Sequence, residues 1–450
     1  MDQTIEDFVR GLHLDAYLVG GAVRDELLGR DSKDADFVVP GLDYEGLHSA
    51  LEPYGKVEEL EVAGRRVGAR LHPRDPKLRR LAPAGIEFAP PRAERSTGPG
   101  RHDFEIFADP ELPLEADMGR RDFTVNAMAR RLETGEIVDP FGGAEDLRNG
   151  VLRTVRPRSF AEDPLRIVRG LRLVSQLGLE PDAQTLQQMR AEAPSVALVS
   201  GERVGGGIHS DGMGELSKLL LGRDPARALR LARDTGVLTA LLPEFEPAIG
   251  FEQDSDRQHL PLDEHTFAVV QAAADAGAPL AVRLGALFHD LGKPSSNGRH
   301  AERSAKLANA ALRRLRYPTR LRTYVTRLVR AHAFSLEDVD DLFARRFLRE
   351  HGDELAFDLV AHKEADLRGK KISPDELEAV AMLRRLLEQE QGQPHRLTDL
   401  AVDGSDLIEL GFAEGPAVGR TLDSLLDAVV EDPALNTRDQ LLERARGQIA

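Results

Sequence analysis

The sequence predicts an α+β protein, a head of short strands and turns carried on a mostly α-helical body. Two observations make that prediction. Residues 1–150 contain the short apolar or alternating runs "AYLVGG", "DADFVV", "GIEFAPP" and "NAMARRLE", each bounded by Gly, Pro or Asp. From about residue 160 the pattern changes to a period of roughly 3.6 residues. At 450 residues the chain also exceeds one ordinary hydrophobic core, which argues for roughly two to four domains.

Taken in order, "AYLVGG" is a strand ending in a Gly-Gly turn, and "AVRDELLG" begins an amphipathic helix. "DADFVV" is a second strand and "GIEFAPP" a third. Between them and "NAMARRLE", the stretch "PPRAERSTGPGRHDF" is rich in Gly, Pro, Ser and charge, and reads as a mobile loop over 93–112. "DPLRIVRGLRLVSQLG" carries apolar residues at 165, 167, 168, 171, 173, 174 and 177 and stops at Gly178, the pattern of an amphipathic helix. "RALRLARDTGVLTALLPEF" reads as a helical pair closed by Pro243. The polar "GFEQDSDRQHLPLDEH" reads as a domain junction, and helices resume from about 264 to 393. The end of the chain, from about 396, has the Gly and Pro punctuation of short packed helices. No internal repeat is evident.

Composition narrows the chemistry. There are no cysteines, so disulfides, thiolate metal sites and cysteine nucleophiles are excluded, and any metal must sit on His, Asp or Glu. The N-terminus "MDQTIEDFVRGL" is acidic and lacks an apolar signal core. The most apolar run, "AVVQAAADAGAPLAVRLGALF", is broken by Asp275 and Arg283, too polar for a membrane span. A soluble, cytoplasmic protein is expected. The net charge of −16 opposes indiscriminate nucleic-acid binding, yet arginines concentrate at 65–80, 148–172 and 313–349. A basic groove on an acidic protein is compatible with both facts, and so is a set of solvated helix faces.

The stretch "YLVGGAVRDELLGRDSKDADFVVPG", residues 17–41, carries the first constellation. On a strand, Asp34 and Asp36 point to one face, roughly 7 Å apart along the backbone. Two carboxylates so placed can share hard divalent cations whose coordination phosphate oxygens complete. Gly20 and Gly21 let backbone amides approach a phosphate, and Arg24 can fork onto one. Asp25 reads as a local salt-bridge partner. Alone, an Asp-x-Asp is a weak signal and is usually ordinary turn chemistry.

"GGAVRD…DADFVV", "RRDFTVNAMA", "DPFGGAEDL" and "EDPLRIVRGLR" follow one another in order. This set resembles the class II tRNA nucleotidyltransferases, the family of CCA-adding enzymes and bacterial poly(A) polymerases, through most of residues 17–245. The resemblance implies a polymerase-β-like head in which Gly20, Gly21 and Arg24 hold the triphosphate and Asp34 and Asp36 hold Mg²⁺. It implies a third carboxylate on a neighbouring strand. Glu87 with Arg92 in "EFAPPR" is favoured, although Pro90 stands where the family has threonine, and Glu105 in "FEIFAD" competes without a following arginine. In "RRDFTVNA", which follows an acidic stretch, the resemblance gives Asp122 a ribose-positioning role and Asn126 a nucleotide contact, with Arg120 and Arg121 beside them.

In "EDPLR", Asp163 and Arg166 are three apart and are expected as neighbours on one helix face, for which an ordinary ion pair is the plain reading. The resemblance makes them the amino-acid template for the incoming base, choosing C and A by their exocyclic amino groups. Arg169, one turn further, is implied at the triphosphate or the RNA end, and loop 93–112 corresponds to the family's loop for switching from C to A addition. One departure is visible: Glu202-Arg203 is separated from "GELSKLL" by a glycine-rich segment within 204–213.

A second constellation lies in "DEHTFAVV", "LFHDLGKP", "NGRHAE", "RAHAF" and "KEADLRG". His289-Asp290 follows Ala286-Leu287-Phe288, so both are expected to be buried and to need partners. The set resembles an HD-superfamily metal-dependent phosphohydrolase, with His265, His289, Asp290 and Asp366 as the metal tetrad and His300 and His332 for a second ion or a phosphate. The implied ion is divalent (Mg, Mn, Ni or Co), and the implied substrates are 2′,3′-cyclic or terminal phosphates of RNA. A degenerate domain kept for structure is the alternative.

The expected organisation is a nucleotidyltransferase head (1–150), a helical neck with base-selecting and RNA-binding helices (151–248), an HD domain (249–395) and a helical tail (396–450). The expected activity is CCA addition to tRNA 3′ ends from CTP and ATP, with no membrane or DNA partner. Poly(A) polymerase and partial CC- or A-adding activity remain alternatives, as does a catalytically inactive RNA-binding protein.

Overall fold

The computed structural model describes residues 1–32, 35–62, 64–96, 104–206, 213–253, 259–295, 298–371 and 374–448. It divides into two compact units, Met1–Pro243 and Glu244–Ala450.

The first unit is built on a seven-stranded mixed sheet. Its strands are β1 (Tyr17–Val19), β2 (Asp36–Val38), β3 (Gly55–Val62), β4 (Arg65–Pro73), β5 (Ile86–Ala89), β8 (Ala129–Arg131) and β9 (Ile137–Val138), in the order β3-β4-β5-β2-β1-β8-β9. Only β2 and β5 pair in parallel; the other neighbours are antiparallel. Phe37 and Phe88 are buried and stacked with ring centroids 5.4 Å apart, which pins β2 against β5. That register sets Asp36 directly beside Glu87.

Of the 93–112 segment expected as a mobile loop, residues 97–103 lie outside the described residues, and the arms that flank them are strands rather than loop. Its arms pair as an antiparallel ribbon of β6 (Arg92–Ser96) and β7 (Phe104–Ala108), separate from the main sheet. The Gly-Pro content of the segment concealed strand pairing on either side of it. Glu105 falls on β7 of this ribbon, whereas Glu87 lies in the main sheet.

The helix Leu165–Leu177 follows its sequence pattern: Leu165, Ile167, Val168, Leu171, Leu173 and Val174 are buried, and Gly178 ends it in a left-handed conformation. The second unit packs the helices Leu262–Asp275, Leu280–Phe288, His300–Arg314, Thr319–Ala331 and Asp353–Arg368. Its C-terminal part forms its own apolar cluster from Val402, Leu407, Leu425, Val429, Leu441 and Ala445. No helix among the described residues is long and apolar enough to cross a membrane.

Candidate nucleotidyl-transfer and metal sites

In the first unit, strand β1 ends at Gly20, whose φ of +73° and ψ of −132° are accessible to glycine and strained for any other residue. A Cβ there would stand 2.6 Å from Arg121 Nη1, so the missing side chain also lets that guanidinium lie against the turn. The helix that follows, Gly21–Leu27, has only seven residues, so positive charge at this turn comes chiefly from arginines rather than from a helix dipole. Arg24 is oriented from both sides: Nη1 donates to Asn126 Oδ1 (2.6 Å), while Nε and Nη2 donate to Asp25 (2.9 and 2.7 Å). Asp25 is thus the local partner that the sequence reading gave it.

A cavity of about 510 Å³ opens over this turn, within the range of small-molecule sites. Asp36, Glu87, Asp122 and Asp163 line it together with Arg24, Arg92, Arg120, Arg121, Arg166, Arg169, Arg172 and Arg203, as do Gly20, Gly21 and Asn126. Arginine outnumbers carboxylate two to one in this wall, so a chain of net charge −16 concentrates positive charge where a polyphosphate would fit. Every nucleotide-site residue expected from sequence is in this wall except Asp34, which lies outside the described residues. Asp36 is exposed at the start of β2. Glu87, its register neighbour, accepts from Arg70 Nε and Nη2 at 3.1 and 2.6 Å. Adjacent carboxylates facing a basic cavity are an all-oxygen donor set that fits a hard divalent cation bridged to phosphate.

Two buried carboxylates order the arginines. Asp122 accepts from Arg169 Nε (2.7 Å), Asn126 Nδ2 (3.0 Å) and the Phe123 amide (2.9 Å). Burial alone would raise its pKa, but Arg169 and these hydrogen bonds outweigh burial and hold it well below the usual carboxylate range. Asp117 is fully buried and accepts from Arg120 Nε (2.9 Å), Arg121 Nη2 (3.0 Å) and the Arg92 amide (3.3 Å). Burial again opposes ionisation, and Arg120, Arg121 and Arg92 overcome it, lowering Asp117 to about 2. In sequence Asp117 was only part of an acidic stretch; its i,i+3 and i,i+4 spacing to Arg120 and Arg121 was the available signal.

The expectation for Asp163 and Arg166 is corrected in its geometry. Asp163 is extended (φ −143°, ψ 100°) at the end of the Ser159–Glu162 turn, and Arg166 lies inside the next helix, so the two share no helix face. Pro164 is the cause, because a residue before proline is driven out of the α region. Arg166 donates to Ser159 Oγ (3.0 Å) and the Arg120 carbonyl (2.9 Å), while Asp163 is gripped by Arg203 through a two-pronged fork (3.1 and 2.8 Å). Both still line the cavity. Arg203, read in sequence only as part of a displaced Glu-Arg motif, is therefore a site residue. Residues 207–212 of the glycine-rich segment lie outside the described residues.

The second unit gathers the histidines. Donor atoms of His265, His289, Asp290 and Asp366 lie within 4.8 Å of one another, and so do those of Asp290, His300 and His332. His265 Nδ1 lies 3.1 Å from the Gly369 carbonyl, His289 Nδ1 2.9 Å from that of Ala286, and His332 Nδ1 2.7 Å from that of Val329. A carbonyl can only accept, so each Nδ1 carries a proton and each Nε2 is turned inward, the arrangement that orients imidazoles for a metal. Asp290 faces both groups. Its Oδ2 is 3.1 Å from His289 Nε2 and 2.6 Å from Lys293 Nζ; its Oδ1 is 3.4 Å from His300 Nε2 and 3.6 Å from His332 Nε2. Asp366 Oδ1 lies 3.2 Å from His265 Nε2, and its Oδ2 2.6 Å from Lys370 Nζ. These mixed nitrogen and oxygen donors fit a divalent ion. A fifth ring, His362, is buried beside them; burial pushes its pKa well below the ordinary histidine range. Sequence reasoning passed over it, although it lies one helical turn before Asp366.

A mixed sheet whose strand edges present paired carboxylates to an arginine-lined cavity defines a nucleotidyltransferase-like head, here on an α+β fold. Residues 16–153 match the profile of the poly A polymerase head domain, and 178–249 that of the probable RNA and SrmB-binding site of polymerase A. Residues 300–445 match a putative tRNA nucleotidyltransferase domain 2. The multifunctional CCA protein of Xanthomonas campestris pv. campestris (strain B100) is 33% identical over 440 residues, covering 92% of this chain and 97% of that protein. That of Neisseria gonorrhoeae is 40% identical over 286 residues, and the match spans 62% of each protein. The crystal structure of the Bacillus stearothermophilus CCA-adding enzyme in complex with CTP superposes with a TM-score of 0.67 at 26% identity, covering 99% of this chain and 97% of that one. The chain belongs to the CCA-adding family of tRNA nucleotidyltransferases and poly(A) polymerases.

Proposed function

We propose that the protein adds C, C and A to the 3′ end of tRNA, using CTP and ATP, in the cytoplasm. The observation that carries this reading is one cavity uniting the Gly20-Gly21 turn, the Asp36–Glu87 pair and the Asp163–Arg166 pair. The relatives' names support the choice of tRNA and of CCA.

Asp34, Asp36 and Glu87 would hold two Mg²⁺ ions, which when bound activate the RNA 3′ hydroxyl and stabilise the leaving pyrophosphate. The 3′ oxygen then bonds to the α-phosphorus as the bond to pyrophosphate breaks. Arg24, Arg92, Arg121 and Arg169 would neutralise the triphosphate, with Asp117 and Asp122 holding Arg92, Arg120, Arg121 and Arg169 in place. Asp163 selects the base. Arg203 occupies part of its acceptor capacity, and a carboxylate has about four lone-pair sites, which leaves room for an exocyclic amino group. Cytosine and adenine supply that donor; uracil and guanine present a carbonyl. Residues 1–150, 151–248, 249–395 and 396–450 serve as head, neck, HD domain and tail in this reading, and neck and downstream arginines contact RNA phosphates.

The test supplies tRNA transcripts ending before CCA, transcripts ending in CC, and unstructured RNA, with labelled CTP or ATP and Mg²⁺. The expected result is CCA and A addition confined to tRNA. Long A tails on unstructured RNA would overturn the reading in favour of a poly(A) polymerase.

A second activity is favoured by the His-Asp cluster. Its inward Nε2 atoms and shared Asp290 support a divalent-metal (Mg, Mn, Ni or Co) phosphohydrolase of the HD type, with His300 and His332 at a second ion or phosphate. Hydrolysis of a 2′,3′-cyclic nucleotide that is lost in His289→Ala and Asp290→Ala, with CCA addition retained, is the expected result. Hydrolysis surviving both substitutions removes the assignment.

A further inference from the structure

We propose that the outer face of the His300–Arg314 helix, continued by Arg316 and Arg320, is a track for an RNA backbone. It makes the substrate of the His-Asp cluster the phosphate-bearing 3′ end of an RNA strand rather than a free nucleotide. The proposal rests on the phosphohydrolase reading of that cluster.

Between Arg299 and Arg330 the chain has ten basic residues and one acid, Glu302, in a protein of net charge −16. Ser304, Ala305, Ala308, Ala311 and Leu312 form the buried side of the His300–Arg314 helix. Arg303, Lys306 and Arg313 recur on the opposite side at helical spacing, and all three are exposed. Glu302 is engaged by Arg330 at 2.8 Å, and Arg314 by Glu244 at 2.7 Å. Among the described residues Arg303, Arg313, Arg316 and Arg320 have no ion-pair partner. An open depression of about 590 Å³ lies at this end of the helix, lined by Asn309, Ala310, Arg313, Arg314 and Arg316.

A solvated helix face is the ordinary explanation of such charge, and the helix dipole does favour Arg313 and Arg314 in the last turn. It does not account for the rest. Arg316 has a φ of +59°, just past the helix end, where glycine is usual. Arg320 stands in the first turn of the Thr319–Ala331 helix, where a cation opposes the dipole and no acid is present. Positive charge is thus gathered here against local backbone and helix preferences, which suits an external polyanion. Among the described residues of 299–330 no large apolar side chain is exposed, so the face lacks an anchor for a bilayer or a platform for stacked bases. It can hold phosphates without reading sequence.

The track leads to the cluster. His300 begins the helix and is 29% exposed, whereas the side chains of His265, His289, Asp290, His332 and Asp366 are at most 6% exposed. The cluster therefore opens to solvent at the end of the basic face. From His300 to Arg314 the helix runs about 20 Å, the length of about six stacked nucleotides. A strand laid along it delivers its terminal phosphate to His300. A 2′,3′-cyclic phosphate needs a ribose 2′ oxygen, so the strand is RNA rather than DNA. In the hydrolysis water adds to phosphorus, one P–O bond to the terminal ribose breaks, and the water proton passes to the freed ribose oxygen.

The experiment uses the full-length chain loaded with Ni²⁺ or Mn²⁺. Its substrates are a single-stranded RNA of about a dozen nucleotides ending in a 2′,3′-cyclic phosphate, and 2′,3′-cyclic AMP. One variant combines Arg303→Gln, Arg313→Gln and Arg316→Gln; a second carries lysine at the same three positions. Binding of the same strand with a 3′ hydroxyl is followed by fluorescence anisotropy across a salt series. Wild type should show a kcat/KM for the strand about tenfold or more above that for cyclic AMP. The glutamine variant should lose most of that advantage, bind the strand about tenfold more weakly, and show a salt slope lower by about 2. Its hydrolysis of cyclic AMP should be unchanged, and the lysine variant should bind and hydrolyse the strand nearly as wild type does. Equal kcat/KM for strand and cyclic AMP in wild type, or a glutamine variant that binds and hydrolyses the strand as wild type does, overturns the proposal. So does a rise in KM for tRNA in CCA addition with strand hydrolysis intact, which would give this face to the other reaction. If wild type hydrolyses neither substrate, the phosphohydrolase reading fails and takes the substrate assignment with it, whereas unchanged strand binding alone removes only the track.

Discussion

Replacing Asp117 by asparagine tests how the head organises its positive charge. The side chain keeps its size and loses its charge, leaving Arg92, Arg120 and Arg121 around a neutral amide. In the native protein Asp117 is held at about 2 against an ordinary 3.8. That difference corresponds to about 2 kcal/mol of native-state stability at neutral pH. Breaking a buried ion pair on one side adds to this, so the expected loss is about 2–4 kcal/mol. In a unit of this size each kcal/mol is about 2–4 °C, and the melting transition of the first unit should fall by about 8 °C.

The pH dependence has a defined sign. The folded pKa is depressed, so the stabilisation is fully present above 3.8 and is lost as pH falls through the folded value near 2. About half should be gone at pH 3. Urea unfolding of wild type and Asp117→Asn, followed by circular dichroism at pH 7, 5, 4 and 3, reads this directly. The gap between the two proteins should be constant from pH 7 to 5 and narrow below pH 4. A gap that is absent, or equally wide at pH 7 and pH 3, would refute the electrostatic account of this residue. In activity, the arginines lose their alignment, so KM for the nucleotide should rise more than kcat falls.

Further tests address single links in the proposed site. Gly20→Ala imposes a strained φ and sets a methyl against Arg121, so we expect about 1–3 kcal/mol of destabilisation by thermal melting and weaker nucleotide binding. Arg203→Ala releases Asp163; discrimination of CTP and ATP against UTP and GTP, measured as kcat/KM ratios, should narrow by about tenfold or more, and an unchanged ratio would remove Arg203 from base selection. Glu87→Gln should cut incorporation by about a hundredfold or more while Glu105→Gln leaves it near wild type, and the reverse result would move the third carboxylate to the β6–β7 ribbon.

The parts of this protein legible in its sequence are those where local chemistry dictates local geometry. The Leu165–Leu177 helix was readable because its apolar stripe and terminal Gly178 both report the same period. The Gly20 turn was readable because its backbone angles suit glycine alone. What escaped was pairing between distant residues. Glu87 and Asp36 are 51 positions apart and meet only because β2 and β5 happen to run in parallel, a fact no spacing encodes. Arg203 reaches Asp163 across 40 residues, and its grip replaces the i,i+3 pair that a continuous helix would have made. Yet the clue to that failure was in the sequence: Pro164 forbids the helix, and with it the pair, so Asp163 had to find a partner elsewhere. His362 escaped for the opposite reason. Its spacing to Asp366 was plain, but only the fold reveals that the ring is fully buried beside His289 and His332.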